Sequence, residues 1–313
     1  MARVRETKSK LRQQNKRTSW TRFYLPRGQD WPTWPAGHSD AHIGPLAAVP
    51  GRQKVWLGRK VDDPEQAALI ILWESAEALQ AFQNSPACGE FLQGLPENHF
   101  QGSLDSRGLL WSPSTDGAGD ASSSRTPARF VSFQWNSGYQ FEEDLQGRMT
   151  ITILAIPYTG DTIPNSWSST IYNTFSQFLP RGCEDLRVQW PDSRMHFWTA
   201  WAWVDTELSQ QQVAAGKESG QALLCEFRRW NGYHGATPEL EETLAKSPQA
   251  RESWAQTVAK VTPPVTAWDQ ERWDIRLAPQ FIKPEQEEEE QEDEEEVDEE
   301  YERNMKEFLE QLD

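Results

Sequence analysis

Cysteine is scarce. Cys88, Cys183 and Cys225 are the three in 313 residues, and widely spaced and odd in number they write neither a disulfide framework nor a zinc site. No apolar run reaches the roughly 18 residues of a membrane helix; the longest candidate is "AALIILW" at 67–73. The opening "MARVRETKSKLRQQNKR" has no apolar core of the kind a secretory signal needs. These absences point to a reducing, cytoplasmic setting with no membrane partner. A Gly-rich phosphate loop and a G-x-S-x-G elbow are also missing. His38 and His42 flank Asp40 beside a weak, Pro-containing segment, and no metal is expected there.

Positive charge is short as well, but unevenly. The formal net charge is -17, and residues 284–313 alone hold -15 of it. Residues 1–17 carry +6, which leaves -8 for residues 18–283. The body of the chain is mildly acidic, so no broad nucleic-acid-binding face is expected. What the chain has in quantity is aromatic side chains. Its 16 Trp and 13 Phe supply large apolar groups that build a core despite a hydrophobic fraction of 37%. The length suits two domains of about 100–200 residues.

Residues 1–17 read as a disordered basic arm, and "SPSTDGAGDASSSRTPA" (112–128) as a flexible loop. The tail 284–313 cannot bury enough apolar area to offset ordering entropy. Its last residues place Tyr301, Met305, Phe308 and Leu312 at spacings of a short amphipathic helix. Between these ends the order of elements repeats. Short β-runs at 21–26 and 149–158 come first, then helices ending at "VPG" (49–51) and "LPRG" (179–182). The first of these helices is expected over 38–48. Hairpins follow, 53–59 with 67–75 and 184–190 with 195–205. Leu79, Phe82, Phe91, Leu92 and Leu95 give the next helix, with Ser75 as N-cap and Pro96 as stop, and its counterpart starts at Thr206. Runs at 128–136 and 265–275 close each half. This order is βαββαβ twice, an α+β chain of two ferredoxin-like units, at 18–136 and 149–283.

"LWESAEALQAFQNSPACGEFLQGLP" (72–96) resembles the antibiotic-biosynthesis monooxygenases of the dimeric α/β barrels, with Trp73-Glu74-Ser75 running from strand into helix. The likeness is good over Gly51–Pro96. In the second half it rests on element order and on "AWVDTE" (202–207). The resemblance implies two βαββαβ units whose sheets close a barrel, either within one chain as a pseudo-dimer or between two chains as a homodimer. It implies cofactor-independent oxygenation of anthrone-like or hydroquinone substrates, with haem degradation and polyketide cyclisation as sister chemistries. In the oxygenases the Trp at the Trp73 position helps hold substrate. The accompanying Asn, four residues earlier, is here Leu69; the Tyr six residues later is Leu79; and a late-helix Arg falls near Leu92. In the sister branches a Trp or Tyr lands on Phe82, and a His on Cys88 or beside Leu92. The first half is thus stripped of polar chemistry.

The second half is richer. Alternation along "MHFWTAWAWVD" puts His196, Trp198, Ala200 and Ala202 on one face and Phe197, Thr199, Trp201 and Trp203 on the other. If the first face is internal, His196 beside Trp198 suits proton transfer to a phenol or enol. If the second is internal, Trp203 takes the place that Trp73 holds in the first half. "EFRRWNGYHG" (226–235), read at a helix end, gathers Trp230, Tyr233 and His234 at a pocket mouth. The candidate catalytic residues are therefore His196, Tyr233 and His234, and the candidate substrate-binding residues are Trp73, Trp198, Trp203 and Trp230. Three functions stand open: a cofactor-independent monooxygenase acting on an aromatic or polyketide-like small molecule in secondary metabolism, a cyclase or isomerase, and a non-catalytic barrel that binds a hydrophobic ligand or engages a protein partner through the acidic tail.

Overall fold

The computed structural model describes residues 16–34, 43–95, 109–110, 130–135, 145–157, 171–175, 178–189, 197–205, 221–231, 235–262 and 264–278. Residues 1–15 of the basic arm, the 112–128 loop, the acidic tail, Pro96, and His38, His42, His196, Tyr233 and His234 lie outside the described residues, whereas Arg17, expected in the disordered arm, opens the first strand.

The strands are β1 (Arg17–Tyr24), β2 (Arg52–Lys60), β3 (Gln66–Trp73), β4 (Phe130–Trp135), β5 (Gly147–Pro157), β6 (Trp198–Val204), β7 (Gln221–Trp230) and β8 (Ala267–Leu277). They close an antiparallel barrel in the order β1-β3-β2-β8-β5-β7-β6-β4. Within it β4-β1-β3-β2 are neighbours, and so are β8-β5-β7-β6, the two sets meeting at β2–β8 and β4–β6. The helices include α1 (Ala76–Gln83), α2 (Pro86–Gln93), α3 (Glu184–Gln189), α4 (Pro238–Ala245) and α5 (Pro248–Val258), and residues 171–175 are helical as well. Among the described residues no helix is long and apolar enough to cross a membrane.

Strand alternation sorts the apolar residues into an inside and an outside. One buried cluster draws on all eight strands, with Trp20, Trp56, Ile70, Phe133, Ile151, Ala202, Phe227 and Trp273 among its members. It is the barrel interior. Trp20 stands edge-on to Trp273 and Phe133, with centroids 5.6 and 5.9 Å apart. Such edge-to-face rings fill a barrel of this size without a pore. Gly58 makes the room, since a Cβ there would come within 3.2 Å of Trp273. The other face of each strand packs under helices, which explains why all eight residues of β3 are buried and why 67–73 read as one apolar run.

Four expectations are corrected. Residues 184–189 are helix α3, not a hairpin strand. Gly182 turns the chain at φ +99, its N–H donates to Glu184 Oε2 at 2.7 Å, and Cys183 and Leu186 bury one turn apart. Acidic residues in the first turn favour a helix start, and this outweighs the β-like "LRVQW". The strand at 195–205 consequently pairs with β7, which was read as a helix end. The charged pair Glu226 and Arg228 disguised that strand by occupying buried positions. Thirdly, the single helix expected over 75–96 is two, broken at Ser85-Pro86 because Pro at N1 starts a new helix. Lastly, the described part of the 38–48 helix is a short 3-10 turn, Gly44–Leu46, where Pro45 cannot donate in a longer helix.

Candidate functional site

On β5, Arg148, Thr150 and Thr152 alternate with Met149, Ile151 and Ile153; the apolar set fills the barrel and the polar set faces the helices. β7 does the same with Glu226, Arg228 and Trp230. α4 and α5 cover this polar face. Thr237 caps α4 by accepting from Leu240 N–H at 3.3 Å, and Ser247 caps α5 by accepting from Ala250 N–H at 3.2 Å, each followed by Pro. The short link between the caps holds Glu241 and Trp254 over the sheet.

Between sheet and helices lies a cavity of about 370 Å³, lined by Thr150, Trp230, Glu241, Trp254, Trp268 and Arg272 among others. Its size falls in the range of small-molecule pockets. Three indoles form apolar walls, and one end is a charge network. Glu241, 3% exposed, receives hydrogen bonds from Arg272 Nε and Nη2 at 2.6 and 2.8 Å and from Arg148 Nη1 at 2.8 Å. Arg148 also pairs with Asp274, and Arg272 with Asp62. These carboxylates raise both guanidinium pKa values, Asp274 acting most on Arg148 and Glu241 most on Arg272. Thr150 links wall to network: its hydroxyl accepts from Trp230 Nε1 at 2.9 Å and donates to Glu241 at 3.5 Å.

A second cavity, about 490 Å³, lies in the first half between the Pro45–Pro50 turn and α1 and α2. Glu74 and Glu77 are its charged lining, the rest being mainly small or apolar. It is larger but offers less chemistry.

The four candidate Trp residues do not converge. Trp73 is fully buried under α1, stacked on Phe82 at 5.0 Å, with Nε1 donating to Ser19 Oγ at 2.8 Å; it lines neither cavity. Trp198 is 42% exposed on the face of β6 whose Ala200, Ala202 and Val204 fill the barrel. Trp203 packs on the outer side with Leu224 and Trp254. Trp230 alone of the four lines the indole-walled cavity. The open question of β6 is thereby answered: the face carrying Trp198 is internal.

The residue standing where Trp73 stands is Trp230, not Trp203. Each ends the third strand of its set and pairs with the Arg that opens the neighbouring strand or lies one residue into it, Arg17↔Trp73 and Arg148↔Trp230. Each indole donates to the hydroxyl two residues beyond that Arg, Ser19 or Thr150. Each strand then leads to two helices parted by Ser-Pro. Matching the elements places Glu226 opposite Leu69, four residues before the Trp. The fourth residue of the first helix is Leu79 in one half and Glu241 in the other, and the seventh of the second helix is Leu92 or Trp254. Glu241, Trp254 and Trp268 were not among the site residues expected from sequence. The repeated "SP" after a strand-ending Trp was the available signal, hidden by five extra residues in the second half.

Among solved structures the chain is similar to an anthrone oxidase-like protein (11% identity, 86% of this chain and 96% of that one, TM-score 0.44). It is also similar to a protein of Lactobacillus acidophilus NCFM designated a monooxygenase (7% identity, 85% and 97%, TM-score 0.35). A search of curated proteins gives no match. Residues 39–94, which contain β2, β3, α1 and α2, match the family model for antibiotic biosynthesis monooxygenase.

Proposed function

We propose that the chain is a monooxygenase-type enzyme acting on a planar aromatic substrate, with its substrate site in the sheet–helix cavity of residues 147–277 and with the matching layer of residues 17–135 kept as structure. The barrel is then a tandem pair of ferredoxin-like units, the first supplying the family match and the second the chemistry. One observation carries this reading. Where the resembled family has polar substrate residues, the first half has Leu69, Leu79 and Leu92, and the second half has Glu226, Glu241 and Trp254, of which Glu241 and Trp254 line the cavity with Trp230.

The indoles of Trp230, Trp254 and Trp268 would hold a flat ring. Tyr233 and His234, which closely follow Trp230 in the chain, remain the proposed proton-transfer residues; His196, by alternation on the same face of its run as Trp198, is not assigned to this cavity. For an anthrone the balance is CH2 + O2 → C=O + H2O. The methylene supplies the four electrons, one oxygen enters the product and one leaves as water, so no external reductant is needed. Base-assisted loss of a methylene proton gives the electron-rich anion that reacts with dioxygen.

The test is dioxygen uptake by the purified chain with a panel of anthrones and hydroquinones under labelled dioxygen. The expected result is uptake with one labelled oxygen in the product of an anthrone. No uptake across the panel would sink the oxygenase reading. A binding-only barrel is favoured by one detail, that both oxygens of Glu241 already serve guanidinium donors. Ligand binding without turnover would select it, and capture of a protein that requires residues 284–313 and weakens with salt would add the tail as its handle.

A further inference from the structure

Arg228 and Glu226 form a buried ion pair on the helix-facing side of β7, Nη2 donating to Oε1 at 2.7 Å with both side chains 1% exposed. Arg228 Nε and Nη1 and Glu226 Oε2 are buried with no hydrogen-bond partner among the described residues. Three unmet groups on one ion pair are costly, since each buried donor or acceptor without a partner forfeits the hydrogen bond it makes to water in the unfolded chain. A pair kept only for stability would be satisfied or replaced by apolar residues. The surroundings do not compensate. The guanidinium carbon lies 4.4 Å from the Phe197 ring, 4.7 Å from Trp254 and 5.8 Å from Phe178, an aromatic cage that tolerates a cation but accepts no conventional hydrogen bond.

The cage adjoins the substrate cavity. Trp254 both lines the cavity and lies over Arg228. Trp230, another wall, packs against Phe197, the nearest ring to the guanidinium. Unused donors and an unused acceptor side by side, behind an aromatic wall, match a group that accepts and donates at one atom. A phenolic hydroxyl does both; a carboxylate or an ether only accepts.

We infer that Arg228 and Glu226 are the specificity-determining pair of this cavity and bind the hydroxyl of a phenolic ligand, which accepts from Arg228 and donates to Glu226 Oε2 while its ring lies among the indoles. The hydroxyl takes the place that the Trp254 ring now screens. The inference rests on the cavity proposed above as substrate site, but it requires only binding.

Equilibrium dialysis of the full chain against 2-naphthol and against naphthalene tests it. Wild type is expected to bind 2-naphthol about 10- to 100-fold more tightly, the factor that hydrogen bonds to charged groups are worth. The paired replacement Glu226→Leu with Arg228→Met is expected to reduce that ratio to about twofold or less while holding or raising Tm, because apolar residues of similar volume replace a buried ion pair at little cost. If the paired variant does not fold, Glu226→Gln serves, since it keeps the shape and lowers the same ratio. Equal binding of the two compounds by wild type, or an unchanged ratio in the variants, overturns the inference and leaves the cavity standing. Binding of neither compound takes down the cavity reading and this inference with it.

Discussion

The indole N–H groups of Trp73 and Trp230 have the same kind of partner but different surroundings. Trp73 donates to Ser19 inside a layer packed with Phe82, Phe91 and Phe130. Replacing it with Phe keeps most of the packing and strands the Ser19 hydroxyl, so Trp73→Phe should lower unfolding free energy by about 1–2 kcal/mol, read from denaturant melts. The buried thiols speak to the dryness of the second half. Burial pushes Cys183 up to about 12 from an ordinary 9, with Arg228 pulling the other way, and places Cys225 well above its ordinary value. The folded state therefore keeps thiols that the unfolded chain ionises. The stability this gives is present below pH 9 and is lost as pH rises toward 12. Melts between about pH 8 and pH 10 should show a decline that becomes shallower in Cys183→Ala; an identical slope in the variant would remove Cys183 as a cause.

Elements, not isolated residues, place the candidate site. α4 carries Glu241 between Arg148 of β5 and Arg272 of β8, so one carboxylate ties the helix to two strands. Glu241→Leu leaves two guanidiniums partly unpaired at a nearly buried position and should cost on the order of 3–5 kcal/mol, with circular dichroism showing early loss of α4–α5. At α5, Ser247→Ala removes the cap and should cost about 1 kcal/mol. Most strands and the buried faces of α1 and α2 were legible because their apolar periods follow burial on one face or both. β3 is the clearest case, since both of its faces are covered. β7 was illegible because Glu226 and Arg228 sit at core positions that alternation assigns to apolar residues. α3 was illegible because six residues carry too little periodicity to set against the β-like "LRVQW". The candidate site was legible only at Trp230. Glu241 and Trp254 come from helices whose sequence looks like solvated surface, and only the barrel's closure turns those faces inward.

At the scale of the molecule, closure within one chain lets the two halves differ. The barrel interior is one aromatic core drawn from all eight strands, so neither four-stranded set keeps a bare sheet face. One sheet–helix layer is then free to be filled with Phe side chains while the other holds buried charge beside its indole-lined cavity. The two seams are unequal. β2 meets β8 from Trp56 to Lys60, whereas β4 meets β6 only through Phe133, Gln134 and Trp135. Hydrogen exchange should therefore show the β4 and β6 amides at that seam opening before those of β5, which is paired along its length on both sides.

The proposed chemistry lies in the second half although the family match lies in the first. Trp73→Phe and Trp230→Phe make the same change at corresponding positions, so dioxygen uptake with an anthrone by the two variants side by side distinguishes the halves. Uptake close to wild type is expected for Trp73→Phe and a fall of about tenfold or more for Trp230→Phe, as a displaced positioning group produces. Loss in Trp73→Phe with retention in Trp230→Phe, both proteins being folded, would contradict this placement of the chemistry.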